Sequence, residues 1–486
     1  MISRQFIKSS LIYSIVGALP YTSGFILLFW FAAYLTPAQF GLNALYLPTM
    51  YFVQIISSFG LDMSTGVLYF DYRDDKKRLR EFLGTVFIGM AILGTVTMML
   101  FLFGGFRLFS FVFSKGDALE LIPFGMFTIL SGVLNGVFKT YSALLINQQR
   151  PVRFLWLNLT NFILIIGASL ALLYLFPFTL YGPVLGRMIA AVITSSITIL
   201  MLSKEVGLSW NSQYIKKIVS YSSPLFAYAV FGWVVSYFDR FLILRIVGDT
   251  TSVGVYDIAI KLMLGIELVL AGLSNTITPK VYNIWTKSNL RESTMEVNRY
   301  YNVLTAISLL LIPALVLILP ILLPIVVKEK TYYEAFGFLA IIGAGYATRA
   351  WFFLFMAPLL FFKRTKAMPR VLLISAVFQI GFGILLISKF GLIGAVWTNF
   401  LVKLIQVILL YFESRRVFTF KLNLLKQVFL PLSYIVLTVS LELLLPAGLL
   451  WYAHLGELVA IILLVAFVYR KELLMLGDLR GKPVKT

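Results

Sequence analysis

Long apolar blocks alternate with short polar breaks along the whole chain. A sliding window of about 19 residues delimits fourteen of them: Ser10–Tyr34, Leu42–Thr65, Phe82–Phe103, Leu121–Ile146, Phe154–Phe176, Gly182–Leu202, Tyr221–Val247, Val255–Tyr282, Tyr300–Val326, Ala335–Phe361, Val371–Ile387, Leu392–Phe412, Gln427–Leu445 and Leu455–Tyr469. Each approaches the length of helix needed to cross roughly 30 Å of hydrocarbon. The short block Val371–Ile387 and the last pair carry the weakest pattern, so the count runs from twelve to fourteen. The blocks are apolar throughout rather than at alternate positions, which excludes membrane-spanning strands. The first follows Arg4 and Lys8, is too long for a signal-peptide core and lacks a small-x-small cleavage site, so it reads as a retained helix.

The polar breaks orient the blocks. With the N-terminus inside, lysine and arginine gather in the cytoplasmic segments Asp71–Glu81, Lys363–Arg370, Glu413–Lys426 and the tail from Arg470. The opposite turns Thr36–Gly41, Pro177–Tyr181 and Pro446–Ala453 contain neither. This asymmetry is the positive-inside signal and puts both termini in the cytoplasm. No break is long enough for a folded soluble domain. The segment Phe106–Glu120 reads as an outer loop lying on the interface.

Composition agrees with a lipid solvent: of 486 residues, 60% are hydrophobic and 13% charged. The net charge of +20 would suggest nucleic acid in a soluble protein; here the basic residues are topology signals first. Cysteine is absent and histidine occurs once, as His454, which removes disulfides, thiolate metal sites and most histidine-dependent catalysis. There is no Walker loop, dinucleotide-binding glycine turn or HExxH motif, so neither cofactor nor metal is expected. His454 and Glu457 open the last block and receive no role.

The halves of the chain resemble each other. Phe40-Gly41-Leu42 opens the second block and Val253-Gly254-Val255 the eighth; Tyr181-Gly182-Pro183 opens the sixth and Ile393-Gly394-Ala395 the twelfth, at nearly the same offset. Two anchors at nearly one offset predict two six-helix halves in the same orientation, within the all-α polytopic membrane protein of about fourteen helices that the blocks define. Its parts would be an N-terminal six-helix lobe (1–212), a C-terminal six-helix lobe (213–413), and a helix pair with a cytoplasmic tail (414–486).

Several segments are similar to one known family: Lys8-Ser9-Ser10, Leu35-Thr36-Pro37-Ala38-Gln39-Phe40-Gly41, Tyr237-Phe238-Asp239-Arg240-Phe241-Leu242-Ile243, Val253-Gly254-Val255-Tyr256 and Ala259-Ile260-Lys261. They resemble the polysaccharide transporter branch (O-antigen and capsule flippases) of the multidrug/oligosaccharidyl-lipid/polysaccharide exporter superfamily. The resemblance implies two six-helix lobes around a central cavity in a bacterial cytoplasmic (inner) membrane. It further implies alternating access that moves an undecaprenyl-pyrophosphate-linked oligosaccharide between leaflets, without enzymatic chemistry.

Charges within apolar blocks cost a few kcal/mol each unless they meet partners or water. They are Lys139, Arg187, Asp239, Arg240, Lys261, Glu267, Arg349 and Lys403, mostly basic. Such an excess suits a pyrophosphate and acidic sugars; the alternative is intramembrane ion pairing or snorkelling. In the fourth block Thr128, Ser131, Asn135, Lys139 and Ser142 share one helical face. In the second, Asn43, Tyr46, Met50, Gln54 and Ser58 do, with Asp62 at the edge; in the seventh, Trp233, Ser236, Tyr237 and Arg240 do. These stripes either line a cavity or bind helix to helix.

The expected substrate contacts are Lys139, Arg240, Lys261, Arg349, Lys403, Arg187, Asn135 and Gln54, with Glu267 and Asp239 as candidate proton or sodium coupling sites. Asp239 beside Arg240 also reads as a structural counter-ion. The expected partners are the lipid-linked oligosaccharide, membrane lipids and the counter-ion, with no nucleic acid. A multidrug exporter of the same superfamily would favour an acidic cavity, and a polymerase or ligase would need a large external loop.

Overall fold

The computed structural model describes residues 4–112, 121–205, 207, 209–288, 291–292, 294–364 and 366–472. Helices dominate these residues, in two compact units, 1–254 and 255–486. The first contains α1 (Arg4–Tyr34), α2 (Pro37–Ser58), α3 (Leu61–Tyr72), α4 (Lys76–Val112), α5 (Met126–Asn147), α6 (Pro151–Leu175), α7 (Gly186–Glu205) and α8 (Ile215–Val247). Helix α9 (Thr250–Ser288) starts there and continues into the second unit. The second unit holds α10 (Met295–Val326), α11 (Phe336–Ala347), α12 (Arg349–Phe361), α13 (Ala367–Phe390), α14 (Leu392–Arg415), α15 (Leu430–Leu444) and α16 (Ala447–Val468).

Among the described residues, twelve helices are long and apolar enough to cross a membrane, and the protein is a multi-pass membrane protein. The blocks with the weakest pattern are all in this set, as α13, α15 and α16. The first and eighth blocks are outside it. The first contributes the shorter apolar helix Thr22–Tyr34, and the eighth is the 39-residue α9, which carries Asp257, Lys261, Glu267 and Lys280. Helix α4 runs on to Val112; the rest of the segment assigned to the outer interface, 113–120, lies outside the described residues, as does the tail from 473.

Local chemistry explains the breaks that matter for the site. Thr36 caps α2: its hydroxyl accepts from the Gln39 backbone N–H, and the Gln39 side-chain oxygen accepts from the Thr36 N–H. Pro37 fills the first helical position, where its missing N–H costs nothing. Helix α2 ends at Phe59 and Gly60, both left-handed, with φ of 48° and 73°. A Cβ on Gly60 would also stand 2.9 Å from the Ser222 carbonyl oxygen of α8, so glycine serves both the turn and the approach. The second block is therefore two helices, and Asp62 lies in the first turn of α3, where the helix dipole favours a carboxylate.

Close packing in lipid depends on small residues, since apolar side chains gain little by leaving apolar lipid. Gly132 and Gly136, four apart on α5, face α2; a Cβ on Gly132 would come within 2.6 Å of the Met50 carbonyl oxygen. Gly41 and Gly254 face each other at the starts of α2 and α9. A Cβ on Gly41 would lie 1.8 Å from the Thr250 carbonyl oxygen, and one on Gly254 would lie 2.3 Å from that of Pro37.

In the second unit, the α15–α16 hairpin packs on α10, and α15 also packs on α11. Helices α13 and α14 form another hairpin around Gly391, and Gly394 admits the Leu386 backbone to within 2.1 Å of a Cβ position.

Candidate functional site

The α2–α5 contact brings two polar stripes side by side. Gln54 of α2 and Asn135, Lys139 and Ser142 of α5 face one cavity of about 430 Å³ in the first unit. Helix α6 adds Asn158 and Asn161, α7 adds Arg187, and Tyr51 and Tyr237 complete the polar part of the wall. Asn158 is held by hydrogen bonds with the Ser142 hydroxyl, at 2.9 Å, and the Phe154 carbonyl. The Asn135 amide donates towards the Met50 sulfur, 3.6 Å away. The Asn161 side-chain oxygen is buried with no hydrogen-bond partner.

The two cations of this wall differ. Lys139 is half exposed and its Nζ lies 2.9 Å from a carboxylate oxygen of the buried Asp62. Arg187 forms no salt bridge with any described residue, and its buried Nε has no hydrogen-bond partner. It also faces a smaller recess lined by Asn43, Tyr46, Thr128 and Ser131. Two cations and one carboxylate leave a positive excess. A guanidinium with open donors recognises phosphate or carboxylate oxygens in a fork, and Tyr and Asn side chains beside it can stack on and bond to sugars.

Arg240 is elsewhere. It is 3% exposed, and its guanidinium bonds Asp239 at 2.7 Å and the Ser236 carbonyl at 3.1 Å. Asp239 is fully buried and also accepts from the Arg240 backbone N–H. The ridge of α8 is fixed by the indole N–H of Trp233, which donates to the Pro48 carbonyl of α2 at 2.7 Å. The two charges are thus joined side by side on one buried stretch of α8.

Lys261, Glu267, Arg349 and Lys403 belong to the second unit. Lys261 pairs with Asp257 one turn back on α9 at 2.5 Å. Glu267 meets Arg349 of α12 at 2.5 Å, an acid–base neighbour that helical spacing on α9 alone did not provide. Lys403 of α14 has its Nζ 3.6 Å from the centre of the Tyr346 ring. The described residues contain no group of three or more side chains suited to a metal ion.

A family model described as polysaccharide biosynthesis protein matches residues 6–285, more than half of the chain and the whole of the cavity wall. The chain belongs to this family. Among solved structures, the fold is similar to that of the lipid II flippase MurJ in an inward closed conformation, with a TM-score of 0.74 at 16% identity, covering 96% of this chain and 100% of that one. It is also similar to a multidrug resistance MATE family transporter of the MOP superfamily in an inward-facing conformation, with a TM-score of 0.68 at 15% identity, covering 82% and 94%. At such identities the likeness is one of fold. The sequence matches no curated protein.

Within this member of the polysaccharide biosynthesis family, sequence reasoning missed Asn158, Asn161 and Tyr51. The signal was present for the asparagines: they sit three apart in an otherwise apolar helix, which puts them on one face. Tyr51 follows Met50 by one position and shares the cavity with it, so the wall is wider than the stripe drawn through Met50 and Gln54.

Proposed function

We propose that this protein is a flippase that carries an undecaprenyl-pyrophosphate-linked oligosaccharide across a bacterial cytoplasmic membrane by alternating access, for surface polysaccharides such as O-antigen. The observation that carries the reading is Arg187, an unpaired guanidinium on the wall of a polar cavity that also holds Lys139. An unpaired pyrophosphate is prohibitively expensive to move through hydrocarbon, and basic side chains offset that desolvation while the polyprenyl tail stays in lipid. Membership of the polysaccharide biosynthesis family and a fold similar to that of a lipid II flippase support a lipid-linked cargo.

On this reading Arg187 and Lys139 hold the pyrophosphate, while Gln54, Asn135, Asn158 and Asn161 bind sugar hydroxyls. Lys261, Arg349, Lys403 and Arg240 are further basic contacts, and protonation or sodium binding at Glu267 and Asp239 would release Arg349 and Arg240. Fourteen spans in two repeated six-helix lobes with an added pair, both termini cytoplasmic, and no bond-making chemistry complete the proposal.

The test is a deletion strain. Loss of surface glycan with the complete lipid-linked oligosaccharide accumulating on the cytoplasmic side supports the reading, and single repeat units appearing on the outer leaflet overturn it. Reporter fusions that place the Asp71–Glu81 segment outside would overturn the orientation.

A further inference from the structure

The α15–α16 hairpin holds a charged cluster that the cavity does not use. His454, the one histidine of the chain, is 4% exposed. Its Nδ1 lies 2.8 Å from a carboxylate oxygen of Glu457, and its Nε2 lies 2.9 Å from one of Glu442. The other oxygen of Glu457 accepts from the Thr438 hydroxyl. A neutral imidazole has one N–H and one lone pair. Only one of the two contacts could then be a hydrogen bond, and the other would press a lone pair against a carboxylate oxygen. With two N–H groups, both contacts become charge-assisted hydrogen bonds.

Among the described residues, neither acid forms a salt bridge with any group but His454. Helix α10, packed on both α15 and α16, carries Glu296 and Arg299 near its start and no charged side chain after them, and α11, packed on α15, has none. Glu296 lies in the first turn of α10, and the remaining titratable groups on these helices are tyrosines: Tyr300 and Tyr301 on α10, Tyr346 on α11 and Tyr452 on α16. Tyr434 on α15 has a buried hydroxyl without a hydrogen-bond partner. Lys426, just before α15, is paired with Glu472.

We propose that His454, Glu442 and Glu457 form a proton-binding site inside the hairpin, with the bound proton carried on the imidazole ring. Holding the proton, the three groups have one excess negative charge; without it they have two, set against the hydrogen bond from Thr438 to Glu457. Binding a proton therefore also ties α15 to α16. Glu442 is the entry point, because its side chain is 11% exposed against 1% for Glu457. This site goes beyond the transport reading and stands without it.

The single histidine makes the test direct. Full-length protein carrying 15N-histidine, in lipid nanodiscs, is followed by NMR from pH 5 to 10. Both ring nitrogens should carry protons together and lose one in a single step. Glu442→Gln and Glu457→Gln should each weaken proton binding by about tenfold or more, since each removes one of the two flanking charges. A ring that stays neutral throughout, or the same midpoint in all three proteins, would overturn the proposal. Glu442→Gln, at the more open edge of the hairpin, carries the comparison alone if the buried Glu457→Gln does not fold.

Discussion

The cavity wall of the first unit and the charged helices of the second use the same residue types to opposite ends. Around the cavity, Arg187 forms no salt bridge with any described residue, and the half-exposed Lys139 pairs with Asp62. On α9 and α12, Lys261 and Arg349 each meet a carboxylate at 2.5 Å. A basic residue in a membrane helix therefore says little until its partner is known. Of the paired cations, Arg349 joins α12 to α9 and Lys261 bonds within α9; on the proposed reading, an unpaired cation facing a polar cavity is the one available to a ligand.

The comparison can be broken by substitution. Arg187→Ala should lower surface-glycan export about 10–100-fold, the equivalent of a charge-assisted hydrogen bond or two at roughly 1.5–3 kcal/mol, with the melting temperature unchanged; Arg187→Lys should recover part of it. Unchanged export at normal membrane levels would remove Arg187 from the substrate site. The opposite pattern is expected of Arg349→Ala, which leaves Glu267 alone and should cost roughly 2–3 kcal/mol of stability. The double replacement Glu267→Gln with Arg349→Gln should recover most of that loss in the same thermal assay. Asn158→Ala should cost about 1 kcal/mol through its lost bonds to Ser142 and the Phe154 carbonyl.

The smallest effect lies outside the spans. Burial would raise the proton affinity of Glu472, but the hydrogen bonds from Lys426, at 2.7 and 2.9 Å, and from Asn302, at 3.0 Å, outweigh it and hold its carboxyl below the usual range. A depressed carboxylate contributes stability above the unfolded-chain value of about 4.3, and that contribution disappears as pH falls through the folded value. Limited proteolysis of the C-terminal tail should therefore speed up in acid relative to pH 7, and Glu472→Gln should abolish the difference.

Much of the cavity was legible because a helix repeats every 3.6 residues. Asn135, Lys139 and Ser142 on α5 had to share a face, and so did Met50 and Gln54 on α2. What escaped depended on events a straight helix does not show. The left-handed pair Phe59-Gly60 breaks the second block and turns Asp62, an edge position on an unbroken helix, towards Lys139. Arg240 shared a stripe with Tyr237, yet only Tyr237 reaches the cavity, because the guanidinium folds back on the adjacent Asp239. Glu267 found its base on α12, far along the chain. The fourteen blocks predicted helices well, and twelve of the described helices are long and apolar enough to cross a membrane.

The facing glycines 41 and 254 set a condition on biosynthesis. The turn that opens α2 rests on backbone that the ribosome makes more than 200 residues later. At about 5–20 residues per second, that is a wait of roughly 10–40 s during which the first hairpin sits in the bilayer without its final neighbour. Until α9 emerges, the Gly41 surface is an open seat for any other helix with a small residue at the right place. A slow-codon stretch between the two glycines would lengthen that exposure, and a membrane chaperone acting on this chain would find its substrate there.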